Sequence, residues 1–87
     1  MASYNVRIKA SAGKEIESVG QKKDRLRLVA AIRMLAHDPR GRQSSKLAGY
    51  DDRYRLRVGA YRVIYSISDA ELAVVVFRVA HRKEAYR

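Results

Sequence analysis

Cysteine is absent from all 87 residues, which excludes a disulfide framework and any thiolate metal site and makes a reducing compartment comfortable. Two histidines without cysteine form no convincing ligand set, and no acidic pair has the spacing of a glycosidase or a two-metal centre. Metal is therefore not expected, nor any other cofactor. "LAGYDD" lacks the glycine run ending in Lys-Ser or Lys-Thr of a phosphate-binding loop, and Ser44 and Ser45 have no triad context. Long apolar runs are missing too. The longest, "LAVVVF" at 72–77, has the length of a strand, well short of the roughly 20 apolar residues a spanning helix needs. The opening "MASYNVRIKASAGKE" lacks the apolar stretch of a signal peptide. No helix pairs a basic face with large aromatic anchors, so a membrane partner is not expected either. The expectation is a soluble, cytoplasmic protein.

Acidic residues are also in short supply. Nine Asp and Glu stand against 19 Lys and Arg, a formal net charge of +10, and such an excess on so small a body implies an anionic partner: nucleic acid or an acidic protein. The length suits a single domain over residues 1–87 with one layered core and a site on its surface.

Hydrophobic periodicity divides the chain clearly. Tyr4, Val6 and Ile8 alternate with Asn5, Arg7 and Lys9, the period of a half-buried strand over 3–9. Ser11 is placed to cap a short helix carrying Ala12, Ile16 and Val19, with Gly20 as its end. A longer helix follows over 21–37, with Leu28, Ala31, Ile32 and Leu35 as its apolar stripe. Pro39 stops it, and "DPRGRQSSKLAGYDD" reads as a loop. The remainder predicts strands over 53–58, 61–67 and 71–80, the last so apolar that it reads as a central strand covered on both faces. The order β-α-α-β-β-β predicts an α+β fold: two N-terminal helices on one face of a small, mainly antiparallel four-stranded sheet.

The stretch "YRLRVGAYRVIYSI" (54–67) carries the chemistry. A two-residue loop at Gly59-Ala60, with glycine supplying the positive φ of a type II′ turn, would pair Val58 with Tyr61, Arg57 with Arg62, Leu56 with Val63 and Arg55 with Ile64. Alternation then gathers Arg55, Arg57 and Arg62 on one face, with Leu56, Val58, Tyr61 and Val63 on the other. Like charges opposite each other destabilise a sheet, and no acidic residue lies between Arg53 and Ser68 to neutralise them. Arginine favours bidentate contacts with phosphate, so the cluster reads as a phosphodiester cradle. "HRKEAYR" adds His81, Arg82 and Tyr86, and cationic neighbours bring a tyrosine toward the range of a general base.

"HDPRG", "KLAGYDDRYRLRVGAYRVIYSI" and the closing "VAHRKEAYR" together resemble the RelE/ParE superfamily of bacterial toxins, within it the RelE-like mRNA interferases. The resemblance covers nearly the whole chain. It implies a toxin that binds the ribosomal A site on the small (30S) subunit and cuts mRNA there without metal. The 2′-hydroxyl of one nucleotide attacks the adjacent phosphate, leaving a 2′,3′-cyclic phosphate and a 5′-hydroxyl. It also implies a cognate acidic antitoxin as neutralising partner.

Carried over by position, Arg62 matches the arginine on the scissile phosphate. Arg55 and Arg57 match two basic residues that are lysines in RelE; with Lys46 they are the phosphate-binding candidates. Arg82 matches the proposed general acid and Tyr86 the proposed general base. Arginine cannot readily lose a proton, so Arg55 and Arg57 would act electrostatically, and His81 rivals Arg82 as the acid. Two other readings stay open: a ParE-like inhibitor of DNA gyrase without nuclease activity, and a noncatalytic RNA-binding module using Tyr50, Tyr61 and Tyr65.

Overall fold

A computed structural model describes residues 3–83. The elements are β1 (Asn5–Ile8), α1 (Ala10–Glu17), α2 (Lys22–Met34), β2 (Ser44–Lys46), β3 (Arg53–Val58), β4 (Tyr61–Ser68) and β5 (Ala73–His81). The strands form one sheet in the order β1-β5-β4-β3-β2, with β1 parallel to β5 and every other neighbour antiparallel. The predicted β-α-α-β-β-β order stands. One strand is added within the expected loop: β2 pairs Ser44, Ser45 and Lys46 with Leu56, Arg55 and Tyr54.

The apolar stripes meet as their periods require. Ala12 and Ile16 of α1, Leu28 and Ile32 of α2, and Leu35 are buried against Leu56, Val63, Tyr65, Ile67, Val74, Val76 and Val79 of the sheet. Leu28 is fully buried, a contribution of about 1.5–3 kcal/mol. Tyr65, also fully buried, donates its phenol hydrogen to the Pro39 carbonyl at 2.6 Å, and burial pushes the phenol's pKa up. That bond pins the start of the loop after α2 to the middle of the sheet.

Ser11 does not cap α1. Lys9 stands at the N-cap with extended backbone and no side-chain cap bond. Its amide still donates to Val76 at 3.0 Å, so the chain passes from ladder to helix with no residue between to act as a cap. The helix also ends before Gly20, at Glu17 with Ser18 as C-cap. The final strand starts at Ala73, not 71, because Leu72 takes a left-handed φ of 51° in the turn before it. It is an interior strand, between β1 and β4, yet its outer face is only half-buried at Val75 and Phe77. Cationic side chains lie over Phe77: Lys9 Nζ at 5.0 Å and the Arg53 guanidinium at 4.2 Å from the ring centroid.

Two polar devices fasten the margins. Arg40 grips Asp69 with both terminal nitrogens, at 3.1 and 2.9 Å, and donates through Nε to the Tyr54 hydroxyl. The Tyr4 hydroxyl donates to the same carboxylate at 2.6 Å. Arg40, then Tyr4, hold the Asp69 carboxyl below its ordinary range, and the bond to Asp69 raises the Tyr4 phenol. At the other margin β1 pairs only with Ala73 to Val76 of β5. Beyond it Glu15 of α1 accepts the Val79 amide at 2.7 Å and faces Arg78 at 3.6 Å. Among the described residues no helix is long and apolar enough to cross a membrane.

Candidate nucleic-acid interface

The β3–β4 hairpin turns at Gly59-Ala60, with Gly59 at φ 58°. Among the described residues Leu72 is the one non-glycine with positive φ, so Ala60 keeps the ordinary sign, as a type II′ turn requires. The register follows: Val58 with Tyr61, Arg57 with Arg62, Leu56 with Val63 and Arg55 with Ile64. Leu56 and Val63 enter the core, and Val58 and Tyr61 pack against it. Arg55, Arg57 and Arg62 consequently share the outer face, which no helix covers among the described residues. Arg53 has the same parity and extends the row.

The arginines differ in setting. Arg62 lies on the central strand between Arg57 and Ala80 and is only 8 % exposed, so its position is held by its surroundings. Arg57 is exposed on the strand beside it, and Arg55 is half-buried, donating to the Ser45 hydroxyl at 3.3 Å. Lys46 is not part of this group. It pairs with Tyr54, whose ring stacks on the buried Tyr65 at 5.9 Å, so it belongs to the helix-side parity at the sheet edge.

A β-bulge separates the two rival acids. The ladder runs from Ile64 opposite Arg78 to Tyr65 opposite Val76, leaving Phe77 unopposed. Without that extra residue, simple alternation from Val74 and Val76 would put His81 on the outer face and Arg82 on the helix side. With it the assignment reverses. His81 pairs with Tyr61, meets its ring edge-on at 5.5 Å, and shares a cavity with Lys14, Glu15 and Ser18 of the α1 side. Its Nδ1 accepts the Lys83 amide at 3.3 Å. Ala80 pairs with Arg62, and the Arg82 amide continues the ladder to the Ala60 carbonyl at 2.7 Å, so Arg82 follows on the arginine face. Tyr86 lies outside the described residues.

Arg53, Phe77 and Arg78 were not singled out from sequence. Phe77 faces outward by alternation from Val76 and the bulge turns Arg78 outward beside it, near Arg53, whose guanidinium also lies 5.1 Å from the Tyr50 ring centroid. For Arg53 the signal was present, since it alternates in phase with Arg55 and Arg57; for Arg78 nothing local marks the bulge. Tyr65 is a core residue and Tyr61 sits on the helix side, so of the tyrosines expected as stacking platforms only Tyr50 is well exposed. On the opposite side, between α2 and the edge of β3, lies an apolar groove of about 630 Å³. Ala30, Met34, Leu35, Leu56 and Val58 line it, and Arg27 and Arg42 add charge. Among the described residues no cluster of three or more His, Asp or Glu could hold a metal ion.

Comparison with known proteins gives a consistent family. The model of the family described as "ParE toxin of type II toxin-antitoxin system, parDE" matches residues 6–86. No curated protein sequence matches the chain. Among solved structures, the archaeal RelE–RelB complex from Pyrococcus horikoshii OT3 is 30 % identical, with a TM-score of 0.83, covering 95 % of this chain and 99 % of that one. The isolated E. coli RelE toxin is 27 % identical over 97 % of this chain and 92 % of its own, with a TM-score of 0.78. The RelBE2 toxin-antitoxin complex from Mycobacterium tuberculosis is 28 % identical over 93 % and 100 %, with a TM-score of 0.70.

Proposed function

The chain belongs to the ParE-toxin family of type II toxin-antitoxin systems, and we propose that this toxin is an endoribonuclease of the RelE kind, cutting mRNA in the ribosomal A site. The observation that carries this reading is the register that gathers Arg55, Arg57 and Arg62 on one open sheet face, with Arg82 following on the same side.

In the proposed reaction Tyr86 takes the proton of a ribose 2′-hydroxyl, whose oxygen then bonds to the adjacent phosphorus. The bond from phosphorus to the 5′-oxygen breaks, leaving a 2′,3′-cyclic phosphate. Arg62, already held in place, faces the charge that builds on the phosphate oxygens and need not reorganise as it forms. Arg55 and Arg57 hold the flanking backbone as fixed cations. Arg82 donates a hydrogen bond to the departing 5′-oxygen, solvent supplying the proton, since a guanidinium holds its own with a pKa above about 12. His81, which lies beside Tyr61, is assigned a positioning role in this reading.

The partner is an antitoxin, as in the RelE–RelB complexes, and we infer an acidic one. The net charge of +10 favours it, and the apolar groove beside α2, with its arginines, suits an amphipathic acidic segment. A second reading, gyrase inhibition without cleavage, is favoured by the ParE description of the matching family model.

Purified protein added to programmed ribosomes should produce mRNA ends within the A-site codon. Arg62→Ala should lower the rate about 10²–10³-fold with the fold intact, and Arg82→Ala should cost more than His81→Ala in single turnover. Undiminished cleavage by Arg62→Ala would sink the assignment. Loss of supercoiling by gyrase with no cleavage would establish the second reading instead.

A further inference from the structure

Next to the arginine group the outer face holds a cleft of about 390 Å³, lined by Leu47, Tyr50, Arg53, Ile64, Phe77 and Arg78, with Arg55 on its boundary. Planar groups cluster in it: the Arg53 guanidinium lies 5.1 Å from the Tyr50 ring centroid and 4.2 Å from that of Phe77. Lys9 Nζ lies 5.0 Å from the Phe77 ring centroid. These separations lie within the reach of cation–π attraction. A nucleobase is a planar π-system that stacks on aromatic rings and on guanidinium planes alike. The cleft falls at the small end of the range for small-ligand sites.

Its position relative to the phosphate cradle makes the case specific. Ile64 forms part of its wall, two residues from Arg62 on β4, a separation of about 6.6 Å along a strand. Arg55, opposite Ile64, belongs to both the cleft and the arginine group. Three arginines, Arg53, Arg55 and Arg78, surround the apolar surface, which suits a base carried on an anionic backbone better than a neutral apolar ligand. Phe77 faces the cleft by alternation from Val74 and Val76, and the bulge turns Arg78 to the same side beside it.

We propose that the cleft holding Tyr50, Arg53 and Phe77 is a base-binding subsite for a nucleotide neighbouring the phosphate held by Arg62. It rests on the reading that the arginine face takes RNA, but requires no cleavage. Its test therefore uses short single-stranded RNA made uncleavable by 2′-O-methyl groups, binding to the full chain in the absence of ribosomes, with an abasic unit placed at each position in turn.

One abasic position should weaken binding about 5- to 150-fold, the range expected for loss of one stacked base. Phe77→Leu, which keeps apolar volume at the bulge, and Tyr50→Ala, in an exposed loop, should each shrink that difference while the abasic strand binds as before. Equal affinity for intact and abasic strands at every position overturns the proposal, as does an acidic peptide protecting this cleft with no base-dependent RNA binding. Base-dependent binding that persists where ribosomal cleavage is absent upholds the subsite and removes only the nuclease reading.

Discussion

The two faces of the sheet are built from the same strands and obey opposite rules. On the helix side Leu56, Val63, Tyr65, Val74 and Val76 interlock with Leu28 and Ile32, and every buried group adds to stability. On the other side Arg57 opposes Arg62 directly across the ladder, an arrangement that costs stability. One face holds the protein together. The other sets like charges side by side, which folding does not call for and the proposed role of the arginine side accounts for.

The contrast can be broken from either side. Leu28→Ala should have the largest effect on stability, about 2–5 kcal/mol by urea unfolding, and leave cleavage per folded molecule unchanged. Gly59→Ala strains the turn that sets both faces in register; with φ at 58° it should cost about 1–2 kcal/mol. A cleavage loss beyond that caused by unfolding would show that the arginines' alignment depends on the turn. Arg57→Thr should do what no core change can, raising stability by about 0.2–1 kcal/mol while weakening RNA cleavage. A thermal melt that falls would mean that Arg57 is structural.

The smallest effect concerns neither face but the clasp at their margin. Asp69 has a folded pKa below its unfolded value, so its contribution is present above the unfolded carboxylate pKa and is lost as pH falls through the folded one. Asp69→Asn should therefore melt slightly lower than the parent at neutral pH and converge with it in strong acid. Melting curves followed by circular dichroism across that range would reveal it.

Much of this arrangement was legible in the residues. The hairpin register was readable because Gly59 and Ala60 leave room for one tight turn, and a loop of two residues fixes every pair beyond it. The helices announced themselves through Leu28, Ile32 and Leu35. β2 did not, since Ser44, Ser45 and Lys46 carry no apolar alternation and become a strand only because β3 presents an edge. The bulge was invisible for a similar reason: "AVVVFRVAH" is apolar on both parities, and only the partner strand decides which residue is left over. That single hidden residue decides which of His81 and Arg82 accompanies the arginines. The Arg40–Asp69 contact joins residues far apart in sequence, which spacing alone does not reveal.

Glu15 has a bearing on how such a molecule can exist in quantity. Where β1 stops short, β5 would present a bare run of backbone donors, the kind of margin along which sheets zip together into aggregates. The Val79 donor is occupied by a carboxylate from the chain's own helix. A newly made copy thus reaches its partner with that seam already closed against its siblings, and the surplus of like charge keeps those siblings at a distance.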